Sequence, residues 1–149
     1  MHMNQRIHSN RQSGFTLVEI LIVVVILGIL AAIVVPQFTS AAAETRDSSV
    51  KMCVNRIRQQ LEIYREHHGG NYPTLAGFVD QLTGVTDEEG NSVAPGTENS
   101  YGPYIREMPI NANSKGITVD NLPVGESDWF YDEDTGAFHA NDSELTRAF

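Results

Sequence analysis

The chain has 149 residues, with 19 acidic and 10 basic side chains, a net charge of -9 and a single cysteine. The acidic balance argues against a nucleic-acid-binding face, because such a face needs clustered Lys and Arg. One cysteine excludes an internal disulfide, and the length suffices for one modest domain. Residues 80–149 carry fourteen acidic and three basic side chains, so the negative charge belongs to the C-terminal half.

The first predicted element is an apolar segment. Residues 15–38 read FTLVEILIVVVILGILAAIVVPQF, in which Glu19 is the only charged residue. About 20 apolar residues span a bilayer, so this run predicts a transmembrane helix. The residues before it contain Arg6 and Arg11 and no acid. Basic flanks stay in the cytoplasm, which predicts a single pass with the N-terminus inside and the C-terminus outside.

The helical pattern resumes beyond Pro36. Apolar side chains recur at steps of four and three residues, at Val50, Val54, Ile57, Leu61 and Tyr64. This spacing predicts one apolar stripe, and Gly69 and Gly70 end the helix. We therefore predict a near-continuous helix over 15–68, roughly 80 Å long at about 1.5 Å per residue, with a kink at Pro36. The stripe packs either on a head in the same chain or in a helix bundle, and the residues still to be placed favour the head.

The remaining residues alternate turns with short apolar pieces. Residues 74–82 read as a short helix capped by Thr74, and residues 86–100 as an exposed loop. A short strand is predicted at 116–119. A hairpin is predicted in which 128–132 and 137–140 flank a Gly-containing turn.

The resulting fold class is α+β. A long N-terminal helix packs against a small antiparallel sheet, and large aromatic side chains fill the space between them. These fillers are Trp129, Tyr131 and Phe138.

Motifs for catalysis are missing from the sequence, since no nucleophile with a base, paired carboxylates in a cleft or phosphate-binding loop is recognisable. The chain is therefore predicted not to be an enzyme. Cys53 reads as a small hydrophobic residue. His67 and His68 point about 100° apart on a helix and cannot share a metal. A helix C-terminus that favours cations explains them better.

Acidic side chains of the hairpin offer oxygens of the kind that calcium prefers. The calcium candidates are Asp128, Asp132 and Asp134. Their spacing lacks the pattern of an EF-hand loop, and a solvated, charged turn explains them better. No metal is assigned.

The residues around Gly14 carry a family resemblance. Gly14 precedes Phe15, Thr16 and, three positions later, Glu19, so a small residue stands before the apolar run rather than after it. This arrangement resembles the processing site of type IV prepilins and type II secretion pseudopilins, whereas a plain signal anchor has no need of Glu19. The resemblance implies that prepilin peptidase cuts between Gly14 and Phe15 and that Phe15 is N-methylated.

The same resemblance implies roles in assembly. Glu19 of one subunit would neutralise the terminal amine of its neighbour; the alternative is that Glu19 reaches the lipid headgroups. The stretch between Gly28 and Pro36 would lose helical order when subunits pack into a filament, whereas a lone helix would only bend there.

The head resembles the major pseudopilin of type II secretion more than a classical type IV pilin. The residues that carry this likeness are Tyr72, Pro73, Thr74, Gly102, Pro103, Tyr104, Ile105, Pro109 and Asn111. Major pseudopilins bind calcium in the C-terminal loop, near an Asp-Pro-Trp-Gly-Asn segment. Residues 109–113 read Pro-Ile-Asn-Ala-Asn instead, so that site cannot be carried over residue by residue.

The implied function is that of a structural subunit of a type II secretion pseudopilus, polymerised through its N-terminal helix; the alternative is the major subunit of a type IV pilus for adhesion or motility. The chain divides into a basic leader (1–14), a transmembrane and filament-core helix (15–38), an amphipathic helix (39–68) and an acidic head (69–149). The implied partners are further copies of the chain, prepilin peptidase, an inner-membrane assembly platform, a cytoplasmic assembly ATPase and minor pseudopilins. The implied location is the bacterial inner membrane, with the head in the periplasm or on an extracellular filament.

Overall fold

The computed structural model describes residues 14–149, apart from the side chain of Pro36. The predicted basic leader therefore falls almost entirely outside the described residues. The elements are helix α1 (Leu17–His67), helix α2 (Phe78–Thr83), strands β1 (Val119–Asp120), β2 (Trp129–Tyr131) and β3 (Phe138–Ala140), and a 3₁₀ helix (Thr146–Ala148). The chain forms two compact units that divide between Ala41 and Ala42.

The first unit contains the apolar part of helix α1. Its large apolar side chains are exposed, from Phe15 at 82% to Phe38 at 72%. By length and composition the helix can cross a membrane, and its most apolar window is not buried at all within the described chain. Such a surface needs lipid or other apolar segments around it.

The second unit is an α+β head built on the outer part of helix α1. The predicted stripe is confirmed, because Val50, Val54, Ile57, Leu61 and Tyr64 are all at most 2% exposed. They form one core cluster with Phe78, Leu82, Ile105, Met108, Trp129, Tyr131, Phe138 and Ala140. The three predicted aromatic fillers are fully buried, so the helix packs on a head in the same chain.

The sheet has three strands in the order β1-β2-β3. The predicted hairpin is confirmed, since Trp129 pairs with Ala140 and Tyr131 with Phe138 in antiparallel register. The expectation of a purely antiparallel sheet is wrong, because β1 runs parallel to β2. The first strand also begins later than predicted. The N–H of Thr118 donates to the Asp128 side chain, whereas its carbonyl oxygen accepts the N–H of Trp129 at 2.9 Å. The residues of β1 that pair with β2 are Val119 and Asp120.

Thr74 does not cap the second helix as predicted. Its hydroxyl and carbonyl oxygens both accept the N–H of Gly77 at 3.1 Å, which closes a turn ahead of the helix. Helix α2 then begins at Phe78 without a side-chain cap. The predicted loop at 86–100 holds one buried residue, since Thr86 forms backbone bridges to Ser92 and Tyr101 and is 0% exposed.

Candidate functional site

The predicted processing site lies immediately before helix α1. Gly14 and Phe15 are both exposed. A side chain at Gly14 would meet no atom within 4 Å. Within the described chain, the peptide bond between these two residues is therefore open to an enzyme.

The carboxylate of Glu19 is bound to Thr16 through reciprocal hydrogen bonds. Its Oε2 accepts from the Thr16 N–H at 2.9 Å and from the Thr16 hydroxyl at 2.8 Å. The Thr16 Oγ1 in turn accepts the Glu19 N–H at 3.2 Å. This arrangement is a capping box, which satisfies two of the free N–H groups at a helix start. Both donors are neutral, and among residues 14–149 no ion pair forms at Glu19.

Thr16 is a residue of this site that the sequence prediction missed. Its signal was present, because Thr16-Leu17-Val18-Glu19 has the Ser/Thr-x-x-Glu pattern of a capping box directly before an apolar run. The charge of Glu19 alone does not reveal this role, which depends on the backbone N–H groups that lack a partner at a helix start.

Gly28 and Pro36 both lie inside helix α1, whose assignment runs from Leu17 to His67. A side chain at Gly28 would meet no atom within 4 Å. The described chain therefore gives no packing reason for a glycine there. The expected loss of helical order between these residues concerns subunits packed in a filament and stays a prediction.

The hairpin carboxylates serve local hydrogen bonds. Asp132 Oδ1 accepts the N–H of Asp134 at 2.9 Å and that of Thr135 at 3.4 Å. Hydrogen bonds from the Thr135 side chain and from the Asp134 N–H hold the pKa of Asp132 below its ordinary 3.8. The Asp132 carboxylate thus closes its own turn, to which Asp134 contributes a backbone N–H.

Asp128 is bonded elsewhere. Its carboxylate accepts the N–H of Thr118 at 2.7 Å and also the Thr118 hydroxyl. Burial raises the pKa of Asp128, but hydrogen bonds from Ser114 and Thr118 outweigh it and leave the pKa below 3.8. Over residues 14–149, no three His, Cys, Asp or Glu side chains come close enough together to hold a metal ion.

The adjacent histidines lie in an aromatic cluster. His68 is 2% exposed, stacks on the Tyr64 ring at 3.6 Å and is hydrogen-bonded through both ring nitrogens, to Tyr64 O and to the Thr86 hydroxyl. His67 stacks on Tyr101 at 4.5 Å. The preference of a helix end for cations is therefore not what places His68, because burial and stacking do so.

Cys53 is half-buried against the core. Burial raises the pKa of its thiol, which disfavours the reactive thiolate. This agrees with its interpretation as a small hydrophobic residue.

Comparison with known proteins gives two kinds of relative. The profile of the family described as "Prokaryotic N-terminal methylation motif" matches residues 9–35. The chain is 38% identical to the type II secretion system core protein G of Pseudomonas aeruginosa. The alignment spans 101 residues, which is 68% of each chain. It is 28% identical over 137 residues to the protein of the same name from Vibrio cholerae, covering 85% of this chain and 89% of that one.

The second kind of relative shares less of the chain. The type IV major fimbrial protein FimA of Dichelobacter nodosus is 45% identical over 51 residues, which is 34% of this chain and 33% of FimA. No solved structure matches the chain. The likeness to the secretion proteins thus covers 68–85% of the chain, and the likeness to the fimbrial protein covers 34%.

Proposed function

Because this chain belongs to the type II secretion system core protein G family, we propose that it is the major structural subunit, or major pseudopilin, of a secretion pseudopilus. The observation that carries the proposal is the 38% identity over 101 residues to the Pseudomonas aeruginosa protein. The apolar part of helix α1 forms the filament core and the acidic head forms the surface. The role is structural and requires no catalytic step from the chain itself.

Processing precedes assembly. Prepilin peptidase cleaves between Gly14 and Phe15 and methylates Phe15, a proposal supported by the family profile over residues 9–35 and by the exposure of both residues. The leader 1–14 holds Arg6 and Arg11, which favours a cytoplasmic N-terminus and a periplasmic head. The mature chain then comprises the membrane helix (15–38), the amphipathic helix (39–68) and the head (69–149).

Assembly of the mature subunits draws on the partners of the secretion system. These are further copies of the chain, the inner-membrane platform, the cytoplasmic ATPase and minor pseudopilins. Helical order between Gly28 and Pro36 is lost as the subunits pack, which lengthens each of them.

Glu19 exchanges its partner when subunits assemble. In the single subunit its carboxylate accepts two hydrogen bonds from Thr16, and both donors are neutral. A charged carboxylate within a bilayer is costly unless a cation accompanies it. The methylated amine of Phe15 on a neighbouring subunit is such a cation. The capping box thus orients Glu19 until that amine arrives.

Glu19→Gln tests this role because it keeps the size of the side chain and one carbonyl acceptor but removes the charge. Wild type and variant are expressed in cells that lack their own major pseudopilin, with the rest of the secretion system present. We expect the variant to be cleaved and methylated, as read from the mass of its N-terminal peptide. We also expect at least a tenfold loss of antibody-labelled fibres in electron micrographs, and a loss of exported protein in the medium.

The matched control is Glu66→Gln, the same change at an exposed position near the other end of helix α1. It should leave fibres and export at wild-type levels. Fibres of normal number from Glu19→Gln would contradict the charge-pairing role. A wild-type chain that is processed and yet forms no fibre would contradict the structural function itself.

A type IV pilus subunit is the second candidate. The 45% identity to FimA over 51 residues favours it, whereas the longer alignments favour the secretion role. Deletion of the chain separates the two. Loss of export without loss of long surface fibres supports the pseudopilus, and the reverse supports the pilus.

A further inference from the structure

Two asparagines are buried at the C-terminal side of the head. Asn111 lies in the loop before β1 and is 0% exposed, and Asn141 follows β3 directly and is 1% exposed. Buried amides are costly unless their hydrogen-bonding groups are all paired. The partners of these two side chains therefore show what they do in the fold.

Every polar group of the Asn111 side chain has a partner. Its Nδ2 donates to the backbone oxygen of Asp128 and to Asp142 Oδ1, both at 2.8 Å. Its Oδ1 accepts the N–H of Asn113 at 2.9 Å. These partners fix the orientation of the amide, because a flipped amide would set its oxygen against two acceptors and its nitrogen against a donor.

Asn141 fixes the next loop in the same way. Its Nδ2 lies 2.8 Å from Ser127 Oγ, 3.0 Å from Pro123 O and 3.1 Å from Leu122 O. Its backbone oxygen accepts the N–H of Gly125 at 2.6 Å. One side chain thus holds the loop that connects β1 to β2 at the end of β3.

Asn113 extends the network to helix α1. Its Nδ2 lies 3.2 Å from both Asp142 Oδ2 and Asp47 Oδ1. Both carboxylate oxygens of Asp142 therefore accept amide N–H groups, one from Asn111 and one from Asn113. We call the set Asn111, Asn113, Asn141 and Asp142 the asparagine clasp.

Major pseudopilins often bind calcium in their C-terminal loop, and the residues that this chain has there do not fit such a site. Calcium takes six to eight oxygens, whereas the Asp142 oxygens face N–H groups, whose positive ends repel a cation. The Asp128 carboxylate is bonded to Thr118. Within residues 14–149 no cluster of three acidic, His or Cys side chains forms. The groups that face the Asp142 carboxylate are therefore neutral amide N–H groups and not a cation.

We propose that the asparagine clasp takes the place of a metal ion in this head, so that the fold of the head does not depend on calcium. The amides do what a cation would do: they gather backbone carbonyls and a carboxylate from three loops and hold the C-terminal segment on the sheet. This proposal is independent of the function proposed above, because a head with the same clasp would be stable without calcium whatever the protein does.

The test compares the thermal unfolding of the purified full chain in detergent with excess calcium and with a chelator. Trp129, the single tryptophan, is buried and donates to Pro109 O at 3.1 Å, so its near-ultraviolet circular dichroism reports on the loop that carries Asn111. We expect the same Tm in both buffers. A saturable rise of Tm with calcium would overturn the proposal, because a ligand of the native state raises Tm as it binds.

A variant tests the amides directly. Asn111→Asp removes two N–H donors and sets a carboxylate against Asp142, whereas Asn121→Asp makes the same change at an exposed position. In chelator, Asn111→Asp should lower Tm by at least about 5 °C and Asn121→Asp should leave it unchanged. Equal Tm values for the two variants would also overturn the proposal. If Asn111→Asp does not fold, Asn141→Ser, which loses the amide without adding charge, is judged by the same comparison.

Discussion

Replacing Ile57 by alanine should unfold the head at a much lower temperature. Ile57 is 0% exposed, lies at the centre of the stripe on helix α1, and belongs to the same core cluster as Trp129. Truncating a buried isoleucine costs about 2–5 kcal/mol, because transfer energy is lost and a cavity remains. The head unit spans Ala42–Phe149, and for a domain of roughly 100 residues each kcal/mol lowers Tm by about 4 °C. The expected loss is therefore about 8–20 °C.

The control is Ile63→Ala on the same helix. Ile63 is 43% exposed, so the same truncation should cost only about 1 kcal/mol. Thermal unfolding of both full-length variants in detergent is followed through the near-ultraviolet signal of Trp129. Equal losses of Tm would show that the stripe is not one side of the core, and would refute the packing of the head on its own helix.

Two further predictions concern tyrosine ionisation and backbone space in the head. Burial raises the pKa of Tyr64 from 10.0 to about 12; its contribution to stability is present below pH 10 and is lost as the pH rises toward 12. The part of the tyrosinate absorbance that is missing in Tyr64→Phe should therefore rise together with the loss of tertiary circular dichroism. Ionisation of that group near pH 10 in an intact fold would contradict this. Gly136→Ala should lower Tm more than Gly125→Ala. Both glycines have positive φ, so both substitutions strain the backbone, but only at Gly136 would a Cβ lie 2.3 Å from the Tyr72 ring. Equal Tm values would exclude that clash.

The helix and the hairpin could be predicted because their signals are local. The stripe from Val50 to Tyr64 repeats with the period of an α-helix, and each of its five residues is buried. The hairpin turn lies between aromatic residues of which Trp129 and Phe138 face the core. In both elements the pattern of burial follows from the backbone geometry of the element itself.

The parts that sequence reasoning missed depend on distant partners. Strand β1 begins at Val119 and not at residue 116, and the N–H of Thr118 just before it is bonded to the side chain of Asp128, ten residues further along the chain. Asparagine is typical of turns, yet Asn111 is buried. Its side chain donates to Asp142, which lies 31 positions further along the chain. A polar residue carries no periodicity that would reveal such a partner, so its burial becomes visible only in the folded chain.

The proposed assembly site also combines a local feature, which the sequence predicts, with one that depends on a distant partner. The Thr16–Glu19 capping box is local, and its pattern was readable in the sequence. The cation proposed to neutralise Glu19 is not a local feature, because it would belong to another subunit. The single chain therefore shows the hydrogen bonds that orient the Glu19 carboxylate. The cation proposed to pair with it would come from another subunit.

The charge of the head bears on what can drive that assembly. Among residues 14–149, one ion pair forms, between Arg65 and Glu62 at 3.3 Å, and these side chains are 49% and 62% exposed. Surface pairs of this kind contribute about 0–1 kcal/mol, so the fold of the head rests on its apolar core and its buried amides. Most acidic side chains of residues 80–149 are exposed, although Asp128 is buried, and like charges on neighbouring copies repel. In the proposed filament we therefore expect attraction between copies to come from the exposed apolar segment 15–38, in which Glu19 is the only charged residue.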